Sequence, residues 1–265
     1  MVPILLKDGL NLMDIKNIGH AIRLAVKDEL SRELSFGCVN YKSQGSHKDM
    51  DYEDFVISSN VIIKSIEDTN WDEIETFEHL RSRGLVIEEE MFAATGGINT
   101  YKGLIFLVII LVYGLIKTKN FDEASFFIRE FSKPILNDYK LFKKARDCRN
   151  LGIKDVRTFP LSGFEEIFKL SIDFEKLGMT DEILTLFLIS RIDDTTTFAR
   201  SSLDELRSLQ KKALILYEDY CSGVDIGQKL KDLSDYYVDN NISSGGVADI
   251  FILTKTIYYL RRLYE

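Results

Sequence analysis

Cysteine is scarce in this 265-residue chain: Cys38, Cys148 and Cys221 are odd in number and too widely spaced for a C-x-x-C pair. A complete disulfide framework is excluded, and free thiols in a reducing, cytoplasmic setting are expected. Proline is scarcer relative to its usual share, with 3 residues, and glycine is moderate at 16, which disfavours a loop-dense β architecture. Positive charge is also short, with 34 Lys and Arg against 42 Asp and Glu, for a net charge of −8. That balance leaves no electrostatic footprint for duplex nucleic acid or an anionic membrane surface. Long apolar runs are missing too. The longest charge-free stretch, Gly103 to Ile116, has fourteen residues, fewer than the roughly 20 that cross a bilayer. The opening Met1 to Leu6 is apolar but has no basic flank before it, so no signal peptide is expected.

What the chain does have is helical periodicity. Ile15, Ile18, Ile22, Val26 and Leu30 recur at helical steps, and so do Val247, Ile250, Leu253, Ile257, Leu260 and Tyr264. Asn70 with Glu73 three residues on reads as a capping box opening a helix with Trp71, Ile74, Phe77 and Leu80 on one stripe. Residues 121–131, 164–177, 203–220 and 226–238 read as further amphipathic helices, and 34–41 is the one short strand candidate. Composition shifts, linkers and repeats are absent. The expectation is one all-α, multi-helix globular domain over residues 1–265, with the 103–116 helix buried at its centre because it is apolar on every side.

Four gaps between helices hold polar residues that plain connectors do not need. In Gly45-Ser-His-Lys-Asp-Met50, His47 and Asp49 suit a metal or a phosphate-bound Mg²⁺, although Asp49 or Asp51 also suits a helix cap. In the segment from Glu88 to Gly103, Gly96 and Gly97 allow close backbone approach, and the helix start after Asn99 and Thr100 offers free N–H groups to an anion. Lys102 opposes the dipole of that helix and wants an anionic partner, unless Gly96 is simply a C-cap and Lys102 is solvated. Asp193-Asp194 followed by three threonines and Arg200 suits a divalent ion bridging phosphates, or an ordinary acidic cap. Ser244-Gly245-Gly246 opens the last helix as a second anion cradle, with Asp249 in its first turn. Together these features point to a phosphorylated ligand with Mg²⁺.

Gly-Ser-His-Lys-Asp-Met at 45–50, Glu88 with Met91-Phe-Ala-Ala-Thr-Gly-Gly-Ile-Asn-Thr-Tyr-Lys-Gly103, Asp193-Asp-Thr and Ser244-Gly-Gly-Val-Ala-Asp249 resemble, in order and spacing, the motifs of triphosphoribosyl-dephospho-CoA synthases. The resemblance spans residues from about 34 to 260. It implies an all-helical transferase that joins ATP to 3′-dephospho-CoA, releases adenine, and supplies the prosthetic-group precursor of citrate lyase or malonate decarboxylase. A homodimer is one admissible assembly, which the sequence itself does not specify. In that reading Lys102, Arg200 and Mg²⁺ on Asp49 or Asp193/Asp194 clamp the triphosphate. His47, Gly96, Gly97, Asn99, Thr100, Ser244, Gly245 and Gly246 line the substrate, and Glu88 or Asp249 is base or ring-cation stabiliser. The chain departs from the family pattern at Tyr101 (His in the family), Thr196 (Asn) and Ser201-Ser202 (Gly-Gly). A rival reading is therefore a nucleotide-binding or partner-binding homologue with altered substrate or without turnover.

Overall fold

The computed structural model describes residues 14–263; the Met1 to Leu6 run and Tyr264 lie outside the described residues. Among the described residues the regular structure is helical and contains no strand. Residues 34–41, the strand candidate, form a looped segment instead. Its chain turns at Phe36 (φ 48°) and Gly37 (φ 77°). A Cβ at Gly37 would lie 1.9 Å from the Ile242 carbonyl oxygen, so this close approach requires glycine.

Two helices form the centre. Helix α4 (Lys102–Thr118) buries eleven of its seventeen residues, as its all-round apolarity requires. The C-terminal helix, α14 (Gly245–Arg262), is buried over a comparable length and packs against α4. Its polar core positions are satisfied locally: Thr254 and Thr256 donate to carbonyls one turn back, and Lys255 pairs with Asp28 at 2.8 Å and Asp181 at 2.7 Å. Helices α1 (Ile15–Ser31), α9 (Glu165–Lys176) and α10 (Asp181–Arg191) flank α14, while α2 (Tyr52–Glu67) and α3 (Phe77–Ala94) carry the layer round to α4. Helix α5 (Phe121–Phe131) covers the far side of α4, with the bounds its sequence pattern implies.

The remaining elements run over the surface: α6 (Asp138–Leu141), α7 (Lys143–Asn150), α8 (Thr158–Leu161), α11 (Thr195–Arg200), α12 (Leu203–Cys221) and α13 (Gly227–Asp239). One helix start differs from expectation. Trp71–Glu73 is a single 3₁₀ turn, and Asn70 makes no cap bond; its side chain donates to Glu73 at 2.7 Å. Helix α3 begins only at Phe77, where the Thr76 hydroxyl accepts the His79 N–H at 3.2 Å. The hydrophobic stripe was continuous across a cap that the spacing alone did not reveal. No helix among the described residues is long and apolar enough to cross a membrane.

Candidate active site

The N-terminal ends of α4 and α14 lie side by side, and the loops before α2, α4, α11 and α14 close around them. They enclose a polar cavity of about 330 Å³. Its wall includes His47, Asn99, Thr100, Lys102, Asp193, Asp194, Gly245, Gly246 and Asp249, so residues from all four polar gaps meet in one place.

Asp249 projects from the second turn of α14, one residue past the first turn that the sequence suggested, and its Oδ2 lies 2.2 Å from where a Cβ on Gly103 would stand. A side chain at 103 would push that carboxylate out of its place. Among the described residues nothing donates to it. Burial, then the charges of Asp194 and Glu29, hold its carboxyl well above the usual range. Tyr101, the residue before α4, is 2% exposed. Its hydroxyl has no partner among the described residues, and burial, with Glu29, Asp249 and Cys38 adding, pushes the phenol well up.

The neighbouring polar groups are already engaged. Glu29 is fully buried with Arg32 at 2.7 Å, and Arg32 also donates to Thr185 at 2.8 Å. Burial raises the Glu29 carboxyl against the lowering pull of Arg32. Cys38 lies within 3.4 Å of the Ser244 hydroxyl, and burial pushes its thiol up to about 11.

Asp194 is the N-cap of α11, with one oxygen accepting the N–H groups of Thr196 at 2.7 Å and Thr197 at 3.0 Å. Its other oxygen accepts the Val247 N–H at 2.9 Å, and Gly246 N–H bonds it as well. One carboxylate thus caps two helices, and a Cβ at Gly246 would crowd it at 3.0 Å. Burial nonetheless raises its carboxyl above the usual range.

Several sequence expectations are corrected here. Asp194 is no free metal ligand, because its lone pairs are spent on backbone N–H groups. Asp193, though on the cavity wall, is engaged elsewhere, pairing with Arg207 and accepting from Lys154 N–H at 2.9 Å and Gln210 at 3.0 Å. Burial alone would raise its carboxyl, but those three bonds hold it below the usual value. Arg200 is outside the cavity wall: its guanidinium donates to the Ser46 carbonyl at 3.0 Å, the Asn241 carbonyl and His47 Nδ1 at 3.1 Å. It ties two loops together instead of forking onto phosphate.

Gly96 and Gly97, with φ of 65° and 96°, are exposed and end α3 as a left-handed turn, Gly97 N–H donating to Phe92. They are the C-cap alternative, away from the cavity. Ser244 is buried and donates to the Phe36 carbonyl at 3.0 Å; its neighbour Ser243 faces the cavity instead.

Other expected residues do gather. His47 lines the cavity with Nε2 3.1 Å from the Ser243 hydroxyl. Burial, then Arg200, lowers its pKa, so the ring is neutral and Nδ1 accepts from the guanidinium. Asn99 accepts the Lys102 N–H at 3.3 Å and Thr100 donates to Ser58 at 2.6 Å, fixing the turn that opens α4. Asp49 is exposed beside His47, and Asp51 caps α2 in a capping box with Asp54.

Lys102 pairs with Glu88 of α3. Glu88 faces a second, apolar chamber of about 480 Å³ that shares Lys102, Gly103 and Val156 with the polar cavity. Phe77, Leu80, Ile105, Ile109 and Phe142 supply much of its wall.

Glu29, Lys144 and Ser243 line the polar cavity without having been singled out from sequence. Glu29 carries a signal in hindsight. It stands seven residues after Ile22, on the buried face of α1, where an ionisable group is out of place. Lys144 carries none.

Residues 15–265 match the family described as ATP:dephospho-CoA triphosphoribosyl transferase. A protein of Vibrio cholerae described as "Probable 2-(5''-triphosphoribosyl)-3'-dephosphocoenzyme-A synthase" is 25% identical, the alignment covering 94% of this chain and 89% of that one. A protein of Streptococcus equi subsp. equi with the same description is 26% identical, over 90% and 95% of the two chains. "Protein CitXG" of Haemophilus influenzae is 26% identical over 92% of this chain and 60% of its own length. No solved structure matches. With the family match running over nearly its whole length, the chain belongs to the ATP:dephospho-CoA triphosphoribosyl transferase family.

Proposed function

We propose that the protein is a cytoplasmic transferase that joins ATP to 3′-dephospho-CoA, forming 2′-(5″-triphosphoribosyl)-3′-dephospho-CoA and releasing adenine. The product is the prosthetic-group precursor for an acyl carrier subunit such as that of citrate lyase or malonate decarboxylase. The observation that carries this reading is the convergence of four distant polar segments on one cavity that contains an unpartnered carboxylate, Asp249.

In this reading a ribose hydroxyl of dephospho-CoA attacks the anomeric carbon of ATP. The new C–O bond forms as the C–N bond to adenine breaks, and adenine leaves with that electron pair and takes up a proton. The hydroxyl proton passes to Asp249, which also faces the positive charge of an oxocarbenium-like transition state. Of the two carboxylates proposed from sequence, the geometry favours Asp249, since Glu88 is held by Lys102 and faces the apolar chamber. Lys102 and Lys144 supply positive charge at the cavity wall for the triphosphate.

Mg²⁺ enters with ATP as part of the substrate. Among the described residues no group of three His, Cys, Asp or Glu forms a cage for a metal, which fits an ion held mainly by phosphate oxygens and one or two carboxylates. Asp49, exposed at the rim beside His47, is the carboxylate left to meet it. The apolar chamber next to Lys102–Gly103 suits the pantetheine arm of the acceptor, a long neutral chain that must leave the reacting ribose.

Incubation with ATP, Mg²⁺ and dephospho-CoA should release adenine in a one-to-one ratio with a product heavier by one triphosphoribosyl group, resolved by chromatography and mass spectrometry. Binding of ATP without adenine release, with either dephospho-CoA or a related acceptor, would favour the non-catalytic homologue.

A further inference from the structure

Two residues that line the polar cavity, Tyr101 and Asp249, carry groups that the folded chain leaves unused. The Tyr101 hydroxyl is buried without a partner, its ring fixed edge-on against Phe55 at 4.9 Å between centroids. The Asp249 carboxylate, seated on Gly103, accepts no hydrogen bond among the described residues. A buried phenol normally finds a partner. Here the others around it are spent: Glu29 on Arg32, Cys38 among the Ser243 and Ser244 hydroxyls, Asp194 on four backbone N–H groups.

The charge around these two groups decides what can bind them. The carboxylates of Asp194 and Glu29 both act on Asp249, and the cation beside Glu29, Arg32, is already paired with it. A phosphate is repelled there. An apolar group would leave the phenol and the carboxylate unsatisfied, which costs each the desolvation of a buried polar group with no hydrogen bond in return. The fitting ligand is neutral, and it both accepts from a phenol and donates to a carboxylate at adjacent atoms. Two neighbouring hydroxyls meet that description.

Building on the transferase reading above, we propose that Tyr101 is a specificity-determining residue: Tyr101 and Asp249 together hold the cis-diol of a nucleoside ribose. Tyr101 donates to one hydroxyl and Asp249 accepts from its neighbour. The triphosphate then lies toward Lys102 and Lys144, away from these carboxylates. The diol belongs either to ATP or to the acceptor, and both present the same chemistry.

Tyr101→Phe tests this, because phenylalanine keeps the ring against Phe55 and removes only the unpartnered oxygen. Melting of the ligand-free variant should occur at or above the wild-type temperature. Calorimetry is run in two arms, ATP against 3′-deoxy-ATP and dephospho-CoA against CoA, whose ribose is blocked by a 3′-phosphate. In one arm the wild type should prefer the free diol by about tenfold, the scale of one well-made hydrogen bond. Tyr101→Phe should close most of that gap by weakening the free-diol ligand alone, and the arm that responds identifies the ribose held.

Equal discrimination by variant and wild type in both arms overturns the proposal. A variant that melts several degrees lower overturns it too, since the hydroxyl would then be spent within the fold. A wild type that releases adenine while Tyr101→Phe matches it in every affinity defeats this inference and leaves the transferase reading standing. A wild type that binds no nucleotide defeats both.

Discussion

The starts of α4 and α14 are built alike and used differently. Each follows a loop rich in small and polar residues, each carries glycine in its first turn, and each opens onto the same cavity. At α14 the free N–H groups are taken by the chain itself: Asp194 accepts from Gly246 and Val247 while also capping α11. At α4 the glycine serves a different end. Gly103 makes room for the Asp249 carboxylate, which nothing among the described residues satisfies, and Tyr101 beside it leaves its hydroxyl unpartnered. A closed network holds the two helices in place, and beside it lies an open one whose polar groups are left without partners. Two neighbouring aspartates, one of whose charge raises the pKa of the other, are therefore placed differently: Asp194 is a structural cap, and Asp249 is the carboxylate proposed to react.

The largest stability effect should come from the closed side. Asp194→Ala removes the caps of two helices, each worth about 0.5–2 kcal/mol, and leaves buried N–H groups bare, so a loss of about 2–4 kcal/mol is expected in urea unfolding. A loss below about 1 kcal/mol would break the comparison.

Next comes the glycine on the open side. Gly103→Ala places a methyl against the Asp249 carboxylate. Adenine release should fall by about two orders of magnitude, the scale for an ångström of misplacement at a reacting group. The helix itself should tolerate alanine, which favours helix over glycine by about 1 kcal/mol. Full activity in that variant would mean that the Asp249 position does not matter.

Lys102→Ala should weaken triphosphate binding by about 1.5 kcal/mol, the low end for a hydrogen bond to a charged group, because the lysine is half exposed and shared with Glu88. Calorimetry with Mg²⁺-ATP measures it, and unchanged affinity would remove Lys102 from the clamp. Smallest of all should be Glu88→Gln. With Glu88 on the apolar side of Lys102, adenine release should stay within a few-fold of wild type, and its abolition would return the base to Glu88.

The helical core was legible in the sequence because burial leaves a periodic trace. The apolar run 103–116 lies inside α4, and residues 121–131 are α5 to the residue. The membership of the site was also largely legible, since unneeded polar residues at helix gaps mark places where something other than packing is selected. Individual roles were less so. Asp193 and Asp194 are adjacent in sequence, yet one pairs with Arg207 and the other with the Val247 N–H, partners 14 and 53 residues away. Which way each carboxylate faces is set by the tertiary fold. Gly96-Gly97 and Gly245-Gly246 look the same as dipeptides, but the first ends a helix with positive φ and the second begins one. Arg200 read as a phosphate fork because the loop carbonyls it binds, Ser46 and Asn241, are distant along the chain.

The measurement that tests the account most directly is adenine release by Asp249→Asn, scored per folded molecule and paired with its melting curve across pH. Loss of a general base should lower the rate by about 10²–10⁴, and the wild-type rate should rise with pH through the elevated Asp249 pKa. Stability should move the other way. The folded state binds the Asp249 proton more tightly than the unfolded chain, so wild-type stability falls as pH rises from about 3.9, the ordinary carboxylate value, toward the raised folded one. The amide carries no such penalty. Asp249→Asn should therefore melt above wild type at neutral pH, with the advantage vanishing near pH 4. An Asp249→Asn protein that keeps wild-type turnover, or that melts below wild type at neutral pH, would contradict the assignment of Asp249 as the unspent, reactive carboxylate.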